Sequence, residues 1–214
     1  MTCNKTILFD LDGTLTDSGE GIMNCICYAL DHFGLPIPSP EALRSCVGPP
    51  LHDSFSRFGV PQDRLDEAVT VYRQRYLPIG KFENHPYPGV ERLLARLREA
   101  GCRLYVATSK PEITSVEILT KFNMAHYFDI IAGAAMDRSR STKEEVIAYL
   151  LEQTGNLENV IMVGDTKFDV LGAKAHGIDT IGVRWGYGSV AEMEDAGAKA
   201  IAQDMDHLFD LLTQ

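Results

Sequence analysis

The chain has 214 residues, with 20 Lys and Arg against 30 Asp and Glu, a formal net charge of −10. That surplus has the wrong sign for neutralising phosphates along a nucleic-acid polymer, so no such partner is expected. At 45% apolar and 23% charged, the composition suits a globular protein with a sizeable core, and the length fits one domain or a core domain with an insertion. No apolar run approaches the roughly 18 residues of a membrane span, and the short apolar stretch after Lys5 is cut off by acids from Asp10, unlike a signal peptide. A cytoplasmic protein without membrane contact is expected. The five cysteines, Cys3, Cys25, Cys27, Cys46 and Cys102, form no C-x-x-C pair and read as ordinary thiols in a reducing compartment.

In chain order, short β-branched and apolar runs are expected as strands at residues 6–9, 103–107, 130–132, 160–163, 180–183 and 200–202. They alternate with helical patterns, the arrangement that builds a parallel sheet from βα units. Val90, Leu93, Leu94 and Leu97 recur at i, i+3, i+4 and i+7 in a helix opened by Pro88-Gly89 and closed by Gly101. A further helix begins around Pro111, and another covers residues 143–152, with Val146, Ile147, Leu150 and Leu151 on one stripe. Residues 18–81 break the alternation: helices are expected over 20–33, 51–58 and 63–77, joined by Pro- and Gly-bearing connectors, with no strand. The fold expected is therefore α/β, a Rossmann-like parallel core from residues 1–17 and 82–214, with a small all-helical cap at 18–81 inserted after the first strand. A cap on two linkers suits a lid.

Four patches carry chemistry. Asp10-Leu11-Asp12-Gly13-Thr14 follows the first strand directly, where ligands bind in open α/β sheets; the bland alternative is an acidic turn with a permissive Gly13. Thr108-Ser109 ends the second strand and offers hydroxyl and amide donors to an anion, or simply an N-cap. Lys143 opens a helix, where its charge opposes the helix dipole, so it is either solvated or aimed at an anion. Asp165 and Asp169, four apart after the strand at 160–163, converge on a cation or merely decorate a helix N-terminus.

Together these patches resemble the haloacid dehalogenase superfamily over essentially the whole chain. The resemblance implies that Asp10 is the nucleophile accepting a phosphoryl group and that Asp12 protonates the leaving oxygen and then activates water. It implies that Thr108, the Ser109 amide and Lys143 hold the phosphate, with Lys143 also balancing charge. Mg²⁺ is implied between the Asp10 side chain, the Asp12 main-chain carbonyl and Asp165, with Asp169 supporting the metal's water shell or orienting Lys143. An acid at position 12 points within the superfamily to a phosphatase or phosphomutase. The helical insertion resembles the phosphoglycolate phosphatase-like branch, and the stretches Cys46-Val47-Gly48-Pro49-Pro50-Leu51, Tyr87-Pro88-Gly89-Val90, Ala107-Thr108-Ser109-Lys110-Pro111 and Asp137-Arg138-Ser139-Arg140-Ser141-Thr142-Lys143 resemble its 5′-nucleotidase-like subgroup. A small phosphorylated metabolite is the implied substrate, a nucleoside 5′-monophosphate first, with phosphoglycolate as the alternative. A β-phosphoglucomutase-type phosphotransferase and a non-catalytic binding protein remain further alternatives.

Outside those patches, Gly48, Pro49 and Pro50 read either as a substrate-specificity loop of the cap or as a plain connector. Arg44, Arg57, Arg73 and Arg75 are cap cations that meet a substrate anion or solvent. Phe55, Phe58, Tyr72 and Tyr76 fall at helical spacing and read as core, or as a stacking surface for a base. Trp185-Gly186-Tyr187-Gly188 either borders the cleft or packs. The dispersed histidines and the absence of G-x-x-x-x-G-K-[ST] argue against a zinc hydrolase and a P-loop kinase.

Overall fold

A computed structural model describes residues 5–137, 139–155 and 157–214; Cys3 and Arg138, both part of the sequence reading, lie outside them. The elements are β1 (Thr6–Phe9), β2 (Thr16–Asp17), α1 (Gly19–His32), α2 (Pro40–Arg44), α3 (Leu51–Arg57), α4 (Leu65–Tyr76), β3 (His85–Pro86), α5 (Val90–Glu99) and β4 (Arg103–Pro111). They continue with α6 (Glu112–Lys121), β5 (Ile130–Ala134), α7 (Lys143–Thr154), β6 (Val160–Gly164), α8 (Lys167–Lys174), β7 (Asp179–Val183), α9 (Val190–Ala196), β8 (Ala200–Ala202) and α10 (Met205–Thr213). Two compact units result: Met1–Thr16 with Pro86–Gln214, and Asp17–His85. The short strands β2 and β3, where the chain passes from one unit to the other, pair as a two-stranded sheet. Among the described residues no helix is long and apolar enough to cross a membrane.

The first unit is a six-stranded sheet in the order β5-β4-β1-β6-β7-β8, parallel throughout. Strand β1 is buried on both faces, so its run reads apolar without alternation. Ile7 and Phe9 join a cluster with Leu93, Leu94, Leu97 and Leu208 on one side, while Leu8 packs with Val146, Ile147, Leu150 and Ala173 on the other. The chain builds outward from β1 through β4 to β5, then returns to add β6, β7 and β8 on the opposite side. The reversal falls between β1 and β6, the crevice where open α/β sheets place ligands. Phe9 is in register with Val106 on one neighbour and Val163 on the other, so β1, β4 and β6 deliver their next residues to one sheet edge.

The second unit is helical. Helix α1 buries Ile22, Cys25, Ile26, Ala29 and Leu30, and α4 buries Leu65, Ala68, Val69, Val71, Tyr72 and Tyr76. Tyr72 stacks on Tyr76 at 5.1 Å and meets Phe55 edge-on at 6.4 Å, so three of the four aromatics at helical spacing are core. The unit runs past residue 81 because Gly21 N donates to Glu83 O at 3.0 Å and Arg75 grips the Glu83 carboxylate at 2.6 and 2.8 Å. Helix α2, not among the expected helices, forms because Pro40 opens it and the Ser39 side chain accepts from Ala42 N.

Candidate functional site

The site grows from the end of β1. Asp10 N continues the strand ladder to Val163 O at 2.9 Å, and the chain then wraps around one carbonyl: Leu15 N and Thr16 N both donate to Leu11 O, at 2.9 and 3.0 Å. Gly13 turns with φ +84°, and a Cβ there would overlap the Asp165 carboxylate. Gly13 is thus required twice, by its left-handed backbone and by the side chain behind it.

Lys143 is the first residue of α7, whose N-cap Thr142 and Glu145 form a reciprocal capping box. Of the two readings of this cation, the structure selects the anion-facing one. Its Nζ lies 2.8 Å from Asp10 Oδ1 and 2.7 Å from Asp169 Oδ1, and donates to Ala107 O at 2.8 Å. Burial works against its charge, yet Asp10 and Asp169 outweigh it and hold the ammonium's pKa above the ordinary lysine value.

Asp165 follows β6 and is almost completely buried. Its Oδ2 accepts from Tyr187 N at 2.8 Å, and Thr14 Oγ1 donates to its Oδ1 at 3.4 Å. Any Cβ at Gly186 would overlap the same carboxylate, and one at Gly188 would overlap the Asp165 carbonyl. The Trp185–Gly188 loop therefore does more than pack: it closes around Asp165, and Trp185 Nε1 ties it to Thr14 O at 3.1 Å. Asp169 caps its own helix, its Oδ2 accepting from Thr166 N and Thr166 Oγ1 at 3.0 and 2.9 Å. Its other oxygen faces Lys143.

Three buried carboxylates, Asp10, Asp165 and Asp169, place an oxygen each within 4.8 Å of one another. One ammonium cannot balance them. Burial first, then the Asp169 charge, pushes the Asp10 carboxyl up to about 6 in spite of Lys143. Burial, with Asp169 and Asp10, lifts Asp165 well above the ordinary range. An all-oxygen, net negative cage fits a hard divalent cation such as Mg²⁺. The Asp12 side chain stands outside it: Oδ2 accepts from Lys110 Nζ at 2.7 Å.

Strand β4 carries the remaining groups and differs from expectation. It extends through Pro111 with a register shift between Ala107 and Pro111, and α6 starts only at Glu112. Thr108 and Ser109 are therefore extended, not a helix cap, and Pro111 occupies the N-cap position. Thr108 is buried and its Oγ1 accepts from Lys110 N at 3.2 Å, while the Ser109 side chain is exposed. Lys110, which the sequence placed in a resembling stretch but gave no role, is buried beside Asp12. Its signal was its place two residues after Thr108 on a strand end, where a lysine has no reason to be buried unless paired.

In the second unit, Gly48, Pro49 and Pro50 join α2 to α3, with Pro50 capping α3 and Gly48 at φ +105°. Two of the cap arginines are engaged within that unit. Arg75 holds Glu83, and Arg57 reaches Ala42 O at 3.2 Å and Cys46 Sγ at 2.8 Å.

Residues 7–183 match the family model described as haloacid dehalogenase-like hydrolase. The chain belongs to that family. Among the proteins the chain is similar to is the tyrosine-protein kinase PtkA of Mycobacterium tuberculosis, 46% identical over 86% of this chain and 63% of the relative. The chain thus spans less than two thirds of that curated relative's length. A 5′-nucleotidase of Pseudomonas aeruginosa is 42% identical over 87% of this chain and 86% of its own. A crystal structure of a predicted phosphatase from Clostridium acetobutylicum superposes with a TM-score of 0.91 at 41% identity, covering 97% of each chain.

Proposed function

We propose that this haloacid dehalogenase-like hydrolase is a Mg²⁺-dependent phosphomonoesterase that works through an aspartyl-phosphate on Asp10. The observation that carries the reading is the pairing of an over-acidic buried cluster, Asp10, Asp165 and Asp169, with Lys143 at the β1/β6 switch point. Such a cluster has negative charge in excess of what the fold itself neutralises. In the proposed step, an Asp10 oxygen attacks phosphorus while the bond to the leaving oxygen breaks, and Asp12 gives that oxygen a proton. Asp12, now a carboxylate, takes a proton from water, whose oxygen attacks phosphorus and releases Asp10. Splitting hydrolysis this way replaces one hard displacement by two easier ones.

Lys143 lowers the repulsion between the Asp10 carboxylate and a phosphate dianion, and Thr108 with the Ser109 amide orients the phosphoryl oxygens. A divalent cation held by Asp10, Asp165 and the Asp12 main-chain carbonyl supplies further positive charge against those oxygens. The likeness to a 5′-nucleotidase over most of both chains supports a nucleoside 5′-monophosphate as substrate. The kinase-named relative supports a second reading, in which the phosphoryl group passes to an acceptor other than water.

Both are tested by one panel with Mg²⁺: purine monophosphates, phosphoglycolate, sugar phosphates, and ATP with a tyrosine peptide. Phosphate release with the highest kcat/KM on the monophosphates is the expected result. Preferred release from phosphoglycolate overturns the substrate, and phosphotyrosine formation without phosphate release overturns hydrolysis.

A further inference from the structure

The geometry points to Lys110 as a positioning residue that divides the Asp12 carboxylate into an anchored oxygen, Oδ2, and a working oxygen, Oδ1. The inference rests on the phosphomonoesterase reading and goes beyond it by naming how the acid–base group is aimed. The family-level roles leave Lys110 out.

Three observations carry it. Lys110 Nζ donates to Asp12 Oδ2 at 2.7 Å, with the lysine side chain 5% and the aspartate side chain 18% exposed. Among the described residues, Asp12 Oδ1 is buried with no hydrogen-bond partner. A lone oxygen of that kind is costly unless a ligand or a transferring proton uses it. Third, the lysine's own backbone is fixed, since Lys110 N donates to Thr108 Oγ1 at 3.2 Å on the extended end of β4.

The chemistry follows from the donor inventory. An ammonium has only hydrogens to offer, so Oδ2 must accept and cannot carry the proton on its Lys110 side. With Oδ2 engaged by the ammonium, Oδ1 is the oxygen left to give and take a proton. When the bond from phosphorus to the leaving oxygen breaks and the Asp10–phosphorus bond forms, that proton moves from Oδ1 to the leaving oxygen. In the second half, Oδ1 receives the proton of the attacking water as the Asp10–phosphorus bond breaks. Lys110 touches neither phosphorus nor the leaving group in this account. It keeps the carboxylate from rotating, the kind of restraint whose loss lowers rates through misplacement of the reacting atom.

The test uses two substrates that differ in need of a general acid. An aryl phosphate with a strongly acidic phenol leaves with little help, while an alkyl phosphate needs its oxygen protonated. The value of kcat/KM reports the steps through departure of that group, so the aryl-to-alkyl ratio isolates acid delivery. In Lys110→Met, which keeps the length of the stem, the alkyl phosphate is expected to lose about tenfold more kcat/KM than the aryl phosphate. Lys110→Gln should move the ratio the same way, and Lys110→Arg, which restores a cation, should bring it most of the way back. Equal losses on both substrates in Met and Gln variants, or an unchanged ratio, would overturn the inference and leave Lys110 a packing residue. Asp10→Asn runs alongside. If it is inactive and the ratio is unmoved, only the Lys110 inference fails; if it turns over like the wild type, the phosphomonoesterase reading fails and takes this inference with it.

Discussion

Two ion clusters, one in each unit, show opposite charge bookkeeping. In the helical unit Arg75 and Glu83 meet one to one through two hydrogen bonds, with Cys25 Sγ as an additional acceptor at 3.3 Å. Each partner's pKa moves in the direction that keeps it charged: Glu83 is lowered chiefly by its bond to Arg75, and Arg75 is raised chiefly by its bond to Glu83. In the α/β unit three buried carboxylates share the single ammonium of Lys143, and Asp10 and Asp165 are pushed toward the neutral form. The first cluster is closed and serves the fold. The second holds more negative charge than Lys143 balances, and sites of that kind are where perturbed carboxylates gather.

The widest separation between the clusters should come from removing one charge in each. Lys143→Met is expected to cut turnover of an aryl phosphate by about 10²-fold or more, since it removes the cation nearest the attacking carboxylate. Glu83→Gln should leave kcat of the folded protein unchanged and lower unfolding free energy by about 1–2 kcal/mol, because it breaks a partly buried charge-assisted pair. Steady-state kinetics beside urea unfolding of both variants checks the contrast. A Glu83 variant with impaired kcat and normal stability would erase it.

A smaller effect, of opposite sign in the two clusters, appears with pH in chelated protein. Asp10 sits near 6 in the fold against an ordinary value of 3.8, so the native state binds a proton more readily than the unfolded chain, and stability drains away as pH rises from about 4 past 6. Asp10→Asn lacks that penalty. Its Tm should climb relative to wild type over this range, and Mg²⁺ should narrow the gap. Glu83 is lowered, so its contribution is present above the ordinary glutamate value and fades as pH falls through its folded value, closing the gap between Glu83→Gln and wild type in acid. Calorimetric melts at pH 4 to 7 with chelator read both trends; parallel curves for Asp10→Asn and wild type would contradict the over-acidic description.

The sheet was legible because its inner strands are buried on both faces, which turns them into short apolar runs bounded by charged or glycine-bearing loops. Asp10, Lys143 and Asp165 stood out against that background: each is a charge placed where a strand has just ended or a helix begins. Their convergence depends on the register of β1 with β4 and β6, which no local pattern encodes. Lys110 received no role because a lysine ordinarily signals surface, and its burial depends on Asp12, 98 residues earlier. The end of β4 was misjudged for a related reason. Thr108-Ser109 before a proline has the composition of a helix cap, but it lies in a strand that pairs with β5 on either side of it, at Ala107 and at Pro111, with a register shift between. The Trp185–Gly188 loop left two readings open, cleft border or packing, because the Asp165 carboxylate it closes around lies about twenty residues back along the chain.

The account turns on the phosphoryl group residing on Asp10 during turnover. Enzyme mixed with an aryl phosphate and Mg²⁺, quenched in acid within one turnover and digested, should yield the peptide containing Asp10 with the added mass of one phosphoryl group, discharged by hydroxylamine. Label on any other residue, or turnover with no labelled peptide at any quench time, would contradict it.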